Sequence, residues 1–392
     1  MTEITSPLFI LLCLLIASGF VTYVSFCIRF WFGFKNYRPK LNNKRYRVSV
    51  IIVARNEAKN LGDVFTCLMN QDYPNGLFEV ILADDASEDN TADIVSQYSL
   101  MGLNIVYLKV SGREQVVSPK KHALSKAIAL SKGDIILTTD ADCILPQTWI
   151  SSMISHFTDD VSMVAGYSRT LLPSWEKSSI LHKYEHLDFA LTYLVLAGGY
   201  TLGKSWACIG QNLAYRKTAF EDVGGFSQIS NLLSGDDVNL MQLMRRKGHR
   251  IIFNFLPSSF VHTRPVRSWK QFINQRSRWA SNMKYQLKFN PEFFFILLTM
   301  AFIYWGGIVM MFFNLKLGIA IFALRILIEN IYFSYSRSTL GISSKMMRFY
   351  PIWLVIQTFL LVFTMVLGQF NIFVWHGKKP YKRKSKYATN NV

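Results

Sequence analysis

Apolar residues are concentrated in long blocks at the two ends of the chain and in strand-length runs between them. Leu8 to Phe32 reads LFILLCLLIASGFVTYVSFCIRFWF, with Arg29 as its single charge. At about 1.5 Å per residue, a helix of that length crosses a hydrocarbon core of about 30 Å. A cleaved signal segment would open on basic residues and hold a shorter apolar stretch. Here the start holds Glu3, and the basic cluster follows instead: Arg29, Lys35, Arg38, Lys40, Lys44, Arg45 and Arg47. The pattern predicts a retained anchor over residues 8–32, with residue 1 outside and residue 40 in the cytoplasm.

Three further apolar blocks, Phe293–Phe313, Leu317–Tyr335 and Ile352–Val374, lie in the last quarter of the chain. The middle one carries Arg325 and Glu329 on one helical face. Charges in a span are costly, so this is either a structural ion pair or a polar lining for a lipid or sugar acceptor. Lys378, Lys379, Lys382, Arg383, Lys384 and Lys386 in the tail should be cytoplasmic. Four full spans from an external N-terminus would put them outside. One C-terminal segment therefore lies along the interface or turns back as a hairpin.

Residues of about 45 to 290 carry a different pattern. VSVIIVA at 48–54, FEVILA at 78–83, 104–110 and DIILTT at 134–139 read as buried strands, separated by helical spacing over 58–70, 90–99 and 119–131. This alternation predicts an α/β unit on a mostly parallel sheet, whose ligands collect at the carboxyl ends of the strands. The expected organisation is an anchor at 8–32, a cytoplasmic α/β domain at 45–290, a C-terminal membrane region at 291–376 and a basic tail at 377–392.

Composition narrows the class. Of 392 residues, 51% are hydrophobic and only 17% charged, which excludes a disordered chain and argues against an ordinary soluble enzyme. The net charge of +18 points to a membrane surface or an anionic substrate before a nucleic acid, because much of the excess flanks apolar spans, where anionic lipid is the simpler partner. Five cysteines without a C-x-x-C pair make a disulfide framework or zinc knuckle unlikely and fit a reduced compartment.

Candidate chemistry sits at the strand ends. Asp84-Asp85 and the following Ser87, Asp89 and Asn90 could cap a helix, or hold a nucleotide base or ribose. Asp140 and Asp142 close the 134–139 strand and, two apart in extended chain, point the same way. Such a pair can share a hard divalent cation with substrate phosphates. Gly235-Asp236-Asp237 precedes a helical run, and Gln275-Arg276-Ser277-Arg278-Trp279 precedes the C-terminal apolar blocks. Arginine there can grip phosphate in a bidentate way, and tryptophan offers a face for sugar stacking. His182-Lys183-Tyr184-Glu185-His186 matches the H-x-x-E-H zinc-peptidase pattern, a short pattern in an amphipathic run.

In this order the motifs resemble a membrane-anchored family 2 glycosyltransferase of the Q-R-x-R-W type, with a GT-A domain (nucleotide-diphospho-sugar transferase, Rossmann-like) over roughly residues 48–280. VSVIIVARNEAKNL resembles the opening strand and nucleotide loop, Lys120 in PKKHAL the Lys-x-x-Ala-Leu element, and Gly210–Phe226 the acceptor-side segment before the general base. Two positions depart: Pro119 stands where glycine usually precedes the lysine, and Gly235-Asp236 replaces Thr-Glu. The resemblance implies inverting transfer of a hexosyl or N-acetylhexosaminyl group from a nucleotide sugar, by guess a UDP-sugar, to a lipid-linked or cell-envelope glycan acceptor. It implies Asp237 as general base, Arg278 as fixed positive charge, and Arg55, Glu57, Asp84, Asp85, Lys120 and Asp140 at the nucleotide. Asp142 with Asp140 would hold Mg²⁺ or Mn²⁺, and Asp236, Gln275 and Trp279 would line the acceptor end. A processive polysaccharide synthase, possible through association of copies into a homo-oligomer, is the runner-up. A non-catalytic sugar-nucleotide sensor is the rival from another class.

Overall fold

The computed structural model of the chain describes residues 7–112 and 116–374. The basic tail over residues 377–392 lies outside the described residues, as does Glu3. Among them ten strands form: β1 (Val48–Ala54), β2 (Phe78–Asp84), β3 (Ile105–Lys109), β4 (Ile135–Asp140), β5 (Cys143–Ile144), β6 (Val161–Ala165), β7 (Ser168–Thr170), β8 (Leu213–Arg216), β9 (Arg250–Phe253) and β10 (Val261–Thr263). Seven make one sheet in the order β3-β2-β1-β4-β8-β6-β9, and β5-β10-β7 form a small second sheet.

The central strands are buried on both faces, which explains why their sequences run apolar without alternation. From β1, Val50 and Ile52 enter one apolar layer with Leu61 and Phe65 of helix Ala58–Met69. Ile51 enters the other, against Ala123 and Leu124 of helix Pro119–Leu130. Pro119 opens that helix at a position where a missing N–H costs nothing.

The chain steps outward from β1 to β2 to β3, then returns so that β4 pairs with the free side of β1. The loops after β1 and β4 therefore leave in opposite directions and open a crevice between them. The expected mostly parallel sheet holds for six of the seven strands, because β6 and β9 are parallel to each other and run in the same sense as β4. β8 runs antiparallel to both β4 and β6, so the whole sheet is mixed. Strands after Asp140 are three to five residues long apart from the two-residue β5. Runs that short carry little periodicity.

Four helices are long and apolar enough to cross a membrane: Pro7–Asn36, Pro291–Phe313, Leu315–Ser334 and Tyr350–Gln369. Close packing uses small residues, as expected where lipid competes with side chains. Gly19 and Gly306 meet Ile303 and Ile16 between the first two helices, and Gly307 meets Ile321 and Phe322 on the third. Arg325 and Glu329 are buried together at 3.1 Å, and the Tyr23 hydroxyl donates to the same carboxylate at 3.1 Å. Of the two readings of this pair, the structural one fits its position: it ties the first helix to the third.

Helix Ile180–Thr201 is the joint between the sheet and the first apolar helix. Its apolar residues Leu187, Leu194 and Ala197 are fully buried, and Ser179 caps it by accepting from the His182 N–H. Phe30 lies over Gly198, where an added Cβ would fall 2.6 Å from the ring. Gly198→Val is expected to destabilise the protein by about 1–3 kcal/mol through overpacking. Thermal unfolding in detergent reads this as a lowered Tm, with Phe30→Ala in the same chain recovering part of the loss.

Candidate active site

The crevice between β1 and β4 widens into a cleft of about 1220 Å³. Arg55 and Glu57 line it from the loop after β1, Asp85 from just past the end of β2, Asp140 from the end of β4 and Asp142 from the turn after it, and Gln275 and Arg278 from helix Trp269–Ala280. The first loop is held in place by the second. Asn56, in the left-handed region at φ 56°, donates its N–H to Ser87 Oγ at 2.9 Å and accepts from the Glu88 N–H at 2.8 Å. Asp89 accepts from the Ala58 N–H at 3.0 Å and from Thr91. The capping reading of that segment and the nucleotide reading thus both find residues. Asp84 is on the structural side: it is buried off the cleft lining and accepts from the Ser87 N–H and the Tyr107 hydroxyl.

Beneath the cleft floor is a narrow recess lined by Gly210, Asp236 and Asp237, with Lys120 and Asp140 common to both spaces. The Lys120 ammonium joins them, 3.0 Å from Asp140 and 3.4 Å from Asp236. Burial works against this ammonium, but Asp140, Asp236 and Asp237 outweigh it and hold its pKa above the ordinary value. The two acids at 236 and 237 are pushed apart. Burial opposes ionisation of Asp236, yet Lys120 and Lys121 keep its pKa low. Burial and the charge of Asp236 push Asp237 up to about 6, against the Val238 and Gly210 N–H groups that donate to it at 2.6 and 2.8 Å. Such a split is the usual sign of a fixed anion beside a proton acceptor.

Gly235 explains one departure from the family pattern. It turns the chain at φ 79°, a conformation that threonine adopts poorly, and any Cβ there would meet the Asn239 side chain. Asp237 then caps helix Val238–Arg246.

Helix Trp269–Ala280 presents two faces. Gln275 and Arg278, three apart, face the cleft. Burial opposes the Arg278 charge and lowers its pKa, while Asp236, Asp237 and Asp140 support it. Arg276 and Trp279 face elsewhere. Trp279, expected at the acceptor end, does not line the cleft. Its ring packs edge-on against Phe189 at 6.0 Å, with the Arg276 guanidinium 4.5 Å over it. Arg276 also lies over Phe189 and Phe272 and pairs with buried Asp188 at 2.5 Å.

For a divalent cation, the donor set fits. Burial, Asp140 and Glu57 push the Asp142 carboxyl up to about 7, and a cation shared by Asp140 and Asp142 would offset the like-charge repulsion behind that shift. The H-x-x-E-H residues do not converge. His182 Nε2 lies 3.1 Å from the Val266 carbonyl oxygen, and His186 Nδ1 lies 2.9 Å from that of Thr170. Among the described residues no group of three or more His, Cys, Asp or Glu is placed to hold a metal ion.

Sequence reading missed three cleft or recess residues. Glu185 lines the cleft, accepts from the Val266 N–H at 3.1 Å, and is pushed up to about 7 by burial. Its only sequence signal was the peptidase-like pattern. Arg267 lines the same wall, from the loop after β10. Lys121 is buried behind the recess, donating to the carbonyls of Leu232 and Ser234. Its doubling with Lys120 was the available hint.

Residues 49–224 match the family model for glycosyl transferase family 2. The chain is 24% identical over 371 residues to the probable glycosyltransferase YdaM of Bacillus subtilis, covering 87% of this chain and 86% of that protein. It is 23% identical over 246 residues to the beta-monoglucosyldiacylglycerol synthase of Trichormus variabilis, which is 63% of this chain and only 51% of that relative's length. The mannosyltransferase PcManGT from Pyrobaculum calidifontis, solved with GDP-Man and Mn²⁺, matches at a TM-score of 0.58 and 20% identity, over 91% of this chain and 98% of that one. At that identity the likeness concerns the fold, which is GT-A-like.

The Asp188–Arg276 pair gives a stability test. Removing one partner of a buried pair leaves the other charge uncompensated and costs about 3–5 kcal/mol. Asp188→Asn is therefore expected to lower Tm strongly. A change confined to activity at unaltered Tm would refute a structural role for the pair.

Proposed function

We propose that the chain is an inverting glycosyltransferase, a reading supported by the match of residues 49–224 to the glycosyl transferase family 2 model and by the GT-A-like fold. It moves a sugar from a nucleotide-diphosphate donor to a lipid-linked or cell-envelope glycan acceptor at the cytoplasmic membrane face. The observation that carries this reading is the meeting of Asp142 and Arg278 in one cleft, with Asp237 in the recess that opens off it through Lys120 and Asp140.

The residues suggest a division of labour. Arg55, Glu57 and Asp85 contact the nucleotide, whose diphosphate lies toward Asp140 and Asp142. Those two carboxylates would hold Mg²⁺ or Mn²⁺, which when bound neutralises the leaving diphosphate as a Lewis acid. Arg278 adds fixed positive charge where negative charge develops on the leaving group. Asp237 accepts the proton of the attacking acceptor hydroxyl. Asp236, held ionised by Lys120, keeps Asp237 basic and the lysine charged. Gln275 and Glu185 line the acceptor end in place of Trp279.

A membrane-bound acceptor is supported by helix Tyr350–Gln369. It packs along helix Trp269–Ala280, with Gly368 against Ala280 and Gln369 donating to the Ala280 carbonyl, and it exposes Val355, Phe359 and Phe363. That helix reads as interfacial. Helices Pro291–Phe313 and Leu315–Ser336, joined at Asn314, then cross out and back. In this proposed topology the basic tail and Lys40 would share the cytoplasmic side, in line with the charge rule. A lipid product is also named in the Trichormus relative.

The activity test incubates membranes carrying the chain with a panel of labelled nucleotide sugars and then extracts with solvent. Label in the lipid phase is expected. Label in insoluble high-mass material would replace single transfer with polymerisation, and no label beyond hydrolysed donor would remove the acceptor claim.

Asp237→Asn is expected to abolish transfer while nucleotide binding persists. With Asp237 raised to about 6, the wild-type rate should fall as pH drops through that value, since the protonated acid accepts nothing. Retained transfer in the variant would sink the base assignment. Excess chelator should stop transfer, with Mn²⁺ or Mg²⁺ restoring it. Asp142→Asn should weaken metal affinity by about 10-fold or more, measured as the cation concentration for half-maximal rate.

A further inference from the structure

A second cavity, of about 690 Å³, lies where the last turns of helix Pro7–Asn36 meet the end of helix Ile180–Thr201 and the edge strand β9. It shares no lining residue with the acidic cleft. Arg29, Arg38, Lys40, Arg245, His249 and Arg250 line it, and no carboxylate does. Two of these six are matched from outside the lining, Arg250 by Asp160 and His249 by Asp222. Arg245 donates to the Ser205 and Phe289 carbonyls, and Glu292 lies within its electrostatic reach. Arg29 lies over the Phe26 ring, and Arg38 donates to the Tyr37 carbonyl. Among the described residues, Arg29, Arg38 and Lys40 have no carboxylate partner within ion-pair distance.

The position of this charge matters as much as its sign. Ile28 and Phe32 flank Arg29 on the same helix and are each 50% exposed, at the end of a helix apolar enough to cross a membrane. Phe32 also lines the cavity. A ligand that satisfies both features has an anionic head and an apolar tail. Basic pockets at the cytoplasmic ends of membrane helices attract such head groups, with about 1 kcal/mol for each lysine or arginine near the surface.

We propose that this cavity binds the phosphate head group of an anionic phospholipid, with acyl chains along the Ile28 and Phe32 side of the first helix. The site is separate from sugar transfer, and it rests on the membrane placement proposed above. Its role is to seat the domain at a defined height on the bilayer, since one wall belongs to the anchor and the opposite wall to the edge of the catalytic sheet.

The test uses the purified full-length protein in vesicles of phosphatidylcholine, with and without phosphatidylglycerol, followed by native mass spectrometry of retained lipid. The wild type should retain phosphatidylglycerol in preference to phosphatidylcholine. The double variant Arg38→Gln, Lys40→Gln should lose that preference by about tenfold or more. Lys35→Gln with Lys44→Gln removes the same charge from residues that do not line the cavity, and it should keep the preference. Equal loss in both variants would mean diffuse surface attraction and would overturn the site. Displacement of phosphatidylglycerol by inorganic phosphate at millimolar level would assign the cavity to a soluble phosphate and overturn the lipid source. Insertion without lipid preference defeats the site alone, whereas failure to insert in either vesicle defeats the membrane placement and the site with it.

Discussion

The structure depends on balancing partly buried negative charge at the carboxyl ends of its central strands. Asp140, Asp142, Asp236 and Asp237 come from two stretches about a hundred residues apart and meet in and under one cleft. Withdrawing carboxylates from water without a compensating cation is unfavourable. Lys120 supplies part of the balance by sitting between Asp140 and Asp236, and Arg278 supplies more from a helix beyond the sheet. What those two cations leave uncompensated is as informative as what they neutralise. Asp142 and Asp237 both have raised pKa values, one facing the open cleft and one in the recess. The two positions correspond to the two tasks of the proposed transfer, holding a diphosphate and taking a proton.

Helix Trp269–Ala280 links this charge balance to the apolar part of the molecule. Residues three apart on it reach the cleft, whereas Arg276 and Trp279 turn to a packed layer with Phe189, Phe272 and Asp188. Five consecutive positions therefore serve two purposes, and the pattern Q-R-S-R-W cannot be read as one binding surface. Along its other side lies helix Tyr350–Gln369, with Gly368 close to Ser277 and Ala280. A displacement of that apolar helix would be felt at Gln275 and Arg278 through a contact with no flexible side chain between. This gives a physical route by which a bilayer or a lipid acceptor can influence the chemistry.

Much of this was legible in sequence because it rests on local signals. The four apolar blocks and the first four strands of the main sheet carry strong periodicity, and the structure begins and ends them within a few residues of expectation. Asp85, Asp140 and Asp142 were expected at strand ends, where α/β folds gather ligands, and all three line the cleft. The strands of that sheet beyond β4, including the antiparallel strand β8, were not readable, since β6, β8 and β9 have five, four and four residues and depend on pairing with distant partners. Trp279 lies off the cleft lining for a different reason. Residue type gives the chemistry a side chain can perform, but on a helix the facing direction changes by about 100° per residue, and only the neighbours decide which face meets solvent. Glu185 was hidden in the same way, since its own helix is buried nearly all round and one turn opens onto the cleft.

The excess of positive charge acquires two distinct uses in this arrangement. Lys120 and Arg278 are partly buried and work at short range beside the carboxylates, where a few ångströms decide their effect. The basic residues after the first apolar helix are mostly exposed and work through proximity to a surface, where salt screens them. Net charge alone treats these groups as equivalent, yet only the second group can be altered without disturbing the carboxylate balance at the strand ends. The same count of +18 thus divides into a part that lines the acidic cleft and a part that lies beside the first apolar helix. The boundary between them runs through helix Ile180–Thr201, whose buried length separates the anchor from the cleft while touching both.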